Sequence, residues 1–121
     1  MAEVNQSDRI EKPWGYELVW ARTDRYVGKI LHIRKGEVLS YQYHRVKDET
    51  VHLLRGIMDM EVEIGGNRKT LRFQPGDGFH IAPGTKHRMI AVEDCDVLEA
   101  STPETEDVVR LEDRYGRADK N

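Results

Sequence analysis

From Lys12 onward the chain is a succession of short apolar stretches closed by turn residues. The clearest is Ile57 to Ile64. Met58, Met60, Val62 and Ile64 share one side, and Asp59, Glu61 and Glu63 share the other. A period of two predicts a strand with one wet face. Gly65-Gly66-Asn67 follows it and predicts a hairpin, because Gly and Asn tolerate positive φ. Similar stretches run over Glu17–Trp20, Tyr26–Ile33, Val38–His44, Thr50–Leu54, Thr70–Phe73, Phe79–Ala82, His87–Val92 and Val97–Ser101. Lys35-Gly36, Gly56, Pro75-Gly76 and Pro83-Gly84 punctuate them. No window makes a convincing amphipathic helix, and the acidic segment Pro103 to Asp113 reads as holding a short turn at most. Many short strands at even spacing predict an all-β barrel or sandwich. The first residues, through Ile10, lack periodicity and read as a flexible lead-in.

Composition narrows the class. A chain of 121 residues predicts one domain. It is 38% apolar and 34% charged, so the core is small. Nineteen Lys and Arg against 22 Asp and Glu leave a net charge of -3, which gives no electrostatic reason to expect nucleic acid. No apolar run approaches the roughly 20 residues of a spanning helix, so no membrane partner is expected. The single cysteine, Cys95, rules out an intrachain disulfide framework and fits a cytoplasmic location. Its neighbours Glu93, Asp94 and Asp96 disfavour a thiolate.

The candidate chemistry lies in two contexts. In Val38–His44, Ser40, Gln42 and His44 fall on one face, and Leu39, Tyr41 and Tyr43 on the other. Across a charged turn comes Glu49, which a hairpin brings opposite the end of the first strand. Gln42, His44 and Glu49 can therefore converge; a polar hairpin end exposed to water is the ordinary alternative. The second context is Pro75 to His87, where two Pro/Gly turns bracket a very short strand and the second aims His87 back into the sheet. One carboxylate, two imidazoles and one amide oxygen suit a mixed N/O metal site with room for substrate oxygens. The apolar outer face of Leu39, Tyr41 and Tyr43 needs a cover, either a second sheet or a homodimer partner.

Two spaced motifs resemble those of the cupin superfamily. The first reads Gly36, five residues, Gln42-Tyr43-His44, four residues, Glu49, six residues, Gly56. The second reads Gly76, five residues, Ala82-Pro83-Gly84, two residues, His87. Gln42 stands where the family has its first His, the second-motif proline is displaced by one place, and Ala91 replaces a frequent Asn. The resemblance implies a single-domain cupin, a double-stranded β-helix or jelly-roll barrel. It implies one divalent metal ion (Zn, Mn, Fe, Ni or Co) on Gln42, His44, Glu49 and His87. Lys12-Pro13-Trp14-Gly15, Leu39 to His44, Pro83 to Arg88 and Asp107 to Arg117 further resemble small cupins related to the type II phosphomannose isomerase domain. These matches divide the chain into an arm over 1–11, a cupin domain over 12–117 and a tail over 118–121. Lys47-Asp48-Glu49-Thr50 instead resembles stand-alone, mannose-6-phosphate isomerase-like cupins.

That family interconverts an aldose phosphate and a ketose phosphate, which implies a sugar phosphate as substrate and a role in carbohydrate metabolism. By position and resemblance Lys47, Glu99 and Arg110 are the catalytic candidates. Their ordinary structural alternatives are a solvated turn for Lys47, a pairing with Glu104 or Glu106 for Arg110, and a paired carboxylate near the barrel mouth for Glu99. His80 reads as a hydrogen-bonded structural residue, His32 and His52 as outward-facing, and Trp14 and Trp20 as buried anchors for the N-terminal arm. Two other function classes stay open. If Gln42 does not ligate, His44, His87 and Glu49 form a two-His-one-carboxylate triad suited to an Fe(II) oxygenase. A non-catalytic metal- or sugar-binding module would keep the same pocket.

Overall fold

The computed structural model describes residues 4–104 and 106–119, which form eleven strands and, among those residues, no helix. In chain order these are β1 (Asp8–Lys12), β2 (Gly15–Arg22), β3 (Val27–Ile33), β4 (Tyr41–His44), β5 (Glu49–Arg55) and β6 (Met58–Ile64). They continue as β7 (Asn67–Phe73), β8 (Gly78–Ile81), β9 (His87–Ala91), β10 (Cys95–Ser101) and β11 (Val108–Glu112). One sheet has the order β1-β2-β3-β10-β5-β8 and the other β11-β4-β9-β6-β7. Every pairing between them is antiparallel.

Alternation along each strand decides what is inside. On β6, Met58, Met60 and Val62 are fully buried and the acidic residues between them are not. Val51 and Leu53 of β5, Val97 of β10 and Leu31 and Ile33 of β3 close the same core from the opposite sheet. The β6–β7 hairpin pairs Ile64 with Asn67, so Gly65 and Gly66 make a two-residue turn. Their φ values of 59° and 81° are those of the tight turn that matches strand twist.

Several expectations change on folding. Asp8–Ile10, the end of the expected flexible lead-in, belongs to β1, which pairs with β2 from Asp8 onward. The segment expected to hold only a turn forms β11, whose Val109 is buried. Trp14 is buried as expected, but Trp20 is 46% exposed. Gly15, Glu17 and Val19 take the inward positions of β2, and the Trp20 indole lies across Gly28, where a Cβ would meet the ring at 2.5 Å. The Tyr41 ring finds its cover within the chain: the Arg68 guanidinium stacks on it at 3.7 Å. His52 is exposed, and His32 stacks on Tyr16 and bonds Asp96 at 2.7 Å. His80 makes a surface pair with Asp48 at 2.6 Å. Cys95 is buried, and burial pushes its thiol up to about 11.

Candidate metal centre

Backbone contacts bring the two motifs together. β4 and β9 pair at Gln42 and His87, and the Gly84 N–H of the Pro-Gly turn donates to the His44 carbonyl at 2.7 Å. Glu49 opens β5 and sits between Ile81 of β8 and Ser101 of β10. The loop joining β4 to β5 is fixed from the C-terminal side. The Asp107 carboxylate accepts the N–H groups of Val46 and Lys47, both at 2.7 Å, and Thr102 Oγ1 accepts that of Asp48 at 3.0 Å. These bonds hold the Asp107 carboxyl below its usual range.

His44, Glu49 and His87 therefore meet, all three buried, with one potential ligand atom from each inside a 4.8 Å cluster. Glu49 Oε2 lies 3.3 Å from His44 Nε2, and Oε1 lies 3.7 Å from His87 Nε2. The tautomer of His87 is set by its other nitrogen. Thr85 offers a carbonyl at 2.9 Å, so Nδ1 carries the proton and Nε2 is left as a bare lone pair. That buried Nε2 has no hydrogen-bond partner among the described residues. A buried acceptor without a donor is costly in a protein interior, and a cation satisfies it. Burial, with the charge of Lys47, holds His44 down at about 4, so its imidazole is neutral at neutral pH, the form that ligates.

Charge balance points the same way. Lys47 Nζ lies 3.0 Å from Glu49 Oε2 and 3.2 Å from Glu99 Oε2, and all three side chains are buried. Burial works against the ammonium, but Glu99 and Glu49 outweigh it and raise Lys47 above its ordinary value. One ammonium between two carboxylates leaves a surplus negative charge. Burial and the Glu49 charge accordingly push Glu99 up. A divalent ion among His44, Glu49 and His87 would neutralise that surplus, so the donor set fits a metal by lone pairs and by charge. The Gln42 amide reaches the cluster edge, 3.5 Å from His44 Nε2, while its Oε1 accepts the Ser40 hydroxyl.

A cavity of about 140 Å³ opens beside these groups. Gln42, His44, Lys47, Glu49, Glu99 and Arg110 all line it, and of the sequence candidates His87 alone is not in its lining. Lys47 is a buried ion-pair centre and not a solvated turn residue. Arg110 forms no ion pair with Glu104 or Glu106 among the described residues, and its buried Nε has no partner there. Sequence reasoning missed Glu17 and Lys29, which pair at 3.1 Å in the cavity wall. Tyr16, Leu18 and Trp20 form the more apolar series on β2, so alternation pointed inward on the wrong parity.

The model of the cupin domain matches residues 29–100. The chain belongs to the cupin family. Among curated proteins, this cupin is 33% identical to the mannose-1-phosphate guanylyltransferase ManC of Salmonella typhimurium over 121 residues, taking in 95% of this chain and 24% of that protein. It is 33% identical to the mannose-1-phosphate guanylyltransferase of Escherichia coli over 114 residues, 89% of this chain and 23% of that one. The cupin thus spans about a quarter of the length of these relatives. Among solved structures, KdgF from Halomonas sp. superposes with a TM-score of 0.70 at 24% identity, covering 82% of this chain and 88% of that one. Oxalate decarboxylase from Bacillus subtilis gives 0.76 at 14% identity, covering 87% and 30%. At such identities the structural likeness speaks for the fold. No helix among the described residues is long and apolar enough to cross a membrane.

Proposed function

We propose that this cupin is a metal-dependent aldose–ketose isomerase acting on a sugar phosphate. The observation that carries the proposal is the cavity: it sets His44 and Glu49 of the metal cluster against Arg110, a cation with no carboxylate partner among the described residues. A small, oxygen-rich anion suits that combination. The identity to mannose-1-phosphate guanylyltransferases supports a mannose-related phosphate, such as mannose 6-phosphate.

Such an isomerase moves a proton between C1 and C2 through an enediol. The bound divalent ion, held by His44, Glu49 and His87 with Gln42 as a fourth donor, would supply Lewis-acid polarisation of the substrate oxygens. Glu99 is suited to carry the proton, because burial and the Glu49 charge raise its pKa above the ordinary carboxylate value. Lys47 holds Glu49 and Glu99 at fixed separation. Arg110 would hold the phosphate or the charge developing on oxygen. Metal-loaded protein incubated with mannose 6-phosphate in D2O should yield fructose 6-phosphate with deuterium at the transferred position. Neither interconversion nor exchange would reject this substrate.

One feature favours a second reading, a cupin oxygenase. The Gln42 carbonyl oxygen bonds Ser40, leaving two imidazoles and one carboxylate as the group that clusters. Substrate-dependent oxygen uptake with Fe(II) would select it. A homodimer is supported by the outward, partly exposed row Leu18, Ile30 and Leu98, in register across β2, β3 and β10. Sedimentation velocity checks this, with a monomer contradicting it.

A further inference from the structure

The inner surface of the six-stranded sheet carries a row of charge where its neighbours are apolar. On β2, β3, β10 and β5 the inward residues Val19, Leu31, Val97 and Val51 belong to buried apolar surface. Between them, from one edge toward the metal cluster, run Glu17, Lys29, Glu99 and Glu49, with Lys47 of the β4–β5 loop reaching in between the last two. Lys29 stands directly opposite Glu99, and Glu17 lies diagonal to Lys29. Glu17 Oε1 takes Lys29 Nζ at 3.1 Å, and Oε2 lies 3.7 Å from Lys12 Nζ.

Buried ion pairs are poor sources of stability, since desolvation offsets their attraction. Among the described residues no ion pair or hydrogen bond joins Glu17 or Lys29 to His44, Glu49 or His87, so holding a metal does not account for the pair either. It does line the cavity, with Lys12 at its rim. The opposite wall comes from the other sheet, through Gln42 and, beside it in register, Arg110. A ligand that fills the cavity from the metal cluster and Arg110 would thus also meet Glu17 and Lys29.

We infer that Glu17 and Lys29, side by side on adjacent strands, form a hydroxyl-reading subsite that selects a polyhydroxylated substrate by its vicinal diol. A carboxylate accepts from one hydroxyl of such a diol, and an ammonium donates to the next. A substrate that lacks one of these hydroxyls leaves part of the pair's remaining hydrogen-bonding capacity unused, which lowers its affinity. The inference rests on the sugar-phosphate reading and adds which residues read the sugar. Glu17 and Lys29 are specificity-determining and take no part in proton transfer.

The test is calorimetric titration of the metal-loaded protein with mannose 6-phosphate and with glycerol 3-phosphate, which keeps the phosphate and shortens the polyol. The wild type should prefer mannose 6-phosphate. Glu17→Gln should lose about tenfold or more of that affinity and retain its metal and its glycerol 3-phosphate affinity. Lys29→Met should do the same. A wild type that binds neither ligand, or both equally, overturns the inference. So do variants that lose both ligands in parallel, which marks the pair as merely structural. Selective binding without interconversion in D2O would remove the isomerase and leave the subsite. Interconversion by Glu17→Gln at undiminished kcat/KM would remove the subsite and leave the isomerase.

Discussion

Lys47 ties the two acidic side chains of the site to one point. It is buried, its ammonium stands within 3.2 Å of both carboxylates, and it has no other counter-charge at that distance among the described residues. Replacing it by Met leaves Glu49 and Glu99 facing each other without compensation. Lys47→Met should destabilise the metal-free protein by about 3–5 kcal/mol, the usual cost of orphaning a buried charge. Adding Glu99→Gln should return part of that loss. Urea unfolding of the single and double variants checks this; a single variant as stable as the wild type would contradict it. Period two and a hairpin let Gln42, His44 and Glu49 converge, but the exposed hairpin end stayed open on that reading, and only the resemblance to spaced cupin motifs joined them with His87. Lys47 and Glu99 were legible only as neighbours of those residues. Their burial depends on β10 lying beside β5, a pairing that local pattern does not encode. Glu17 was hidden because apolar residues on β2 face out and a carboxylate faces in.

Turns and edge strands decide whether the site residues arrive in place. Gly56 ends the first motif with φ of 97°, and a Cβ there would come within 2.2 Å of the Asp94 carbonyl oxygen. Gly56→Ala is both sterically and conformationally strained, and should cost roughly 2 kcal/mol or more, read as a lower thermal midpoint. A variant with the wild-type midpoint would show that the β5–β6 turn yields freely. β6 and the Gly-Gly hairpin were legible because alternation and turn chemistry agree there. β1 and β11 were not. Asp8–Lys12 is almost entirely charged and exposed, and Val109 is the single buried residue of β11, so these strands are specified by their partners and not by their own pattern. β11 nevertheless positions Arg110, and the residue just before it, Asp107, clamps the loop of Lys47.

Four paired aspartates tie segments outside the core together. Asp59 is held low by Arg72, and Asp107 by the backbone N–H groups of Lys47 and Val46. Burial would raise Asp96, but His32 and Arg55 outweigh it; burial would raise Asp113, but Arg117 outweighs it. A carboxylate whose folded pKa lies below its unfolded value contributes stability that is complete above the unfolded pKa. That contribution is lost as pH falls through the folded one. Stability from these four groups should therefore be flat above about pH 5 and decline below about pH 4. Thermal midpoints measured between pH 6 and pH 2.5 follow it, and a rise on acidification would contradict the assignment.

Whether His44, Glu49 and His87 share a single ion is measured most directly by a crystal structure of protein purified without chelators, with anomalous data above and below the absorption edges of Mn, Fe, Co, Ni and Zn. One anomalous peak within coordination distance of His44 Nε2, His87 Nε2 and the Glu49 carboxylate, absent from Glu49→Gln, is the predicted result. A fully occupied chain with no peak there, even after soaking in each of those metals, would contradict it.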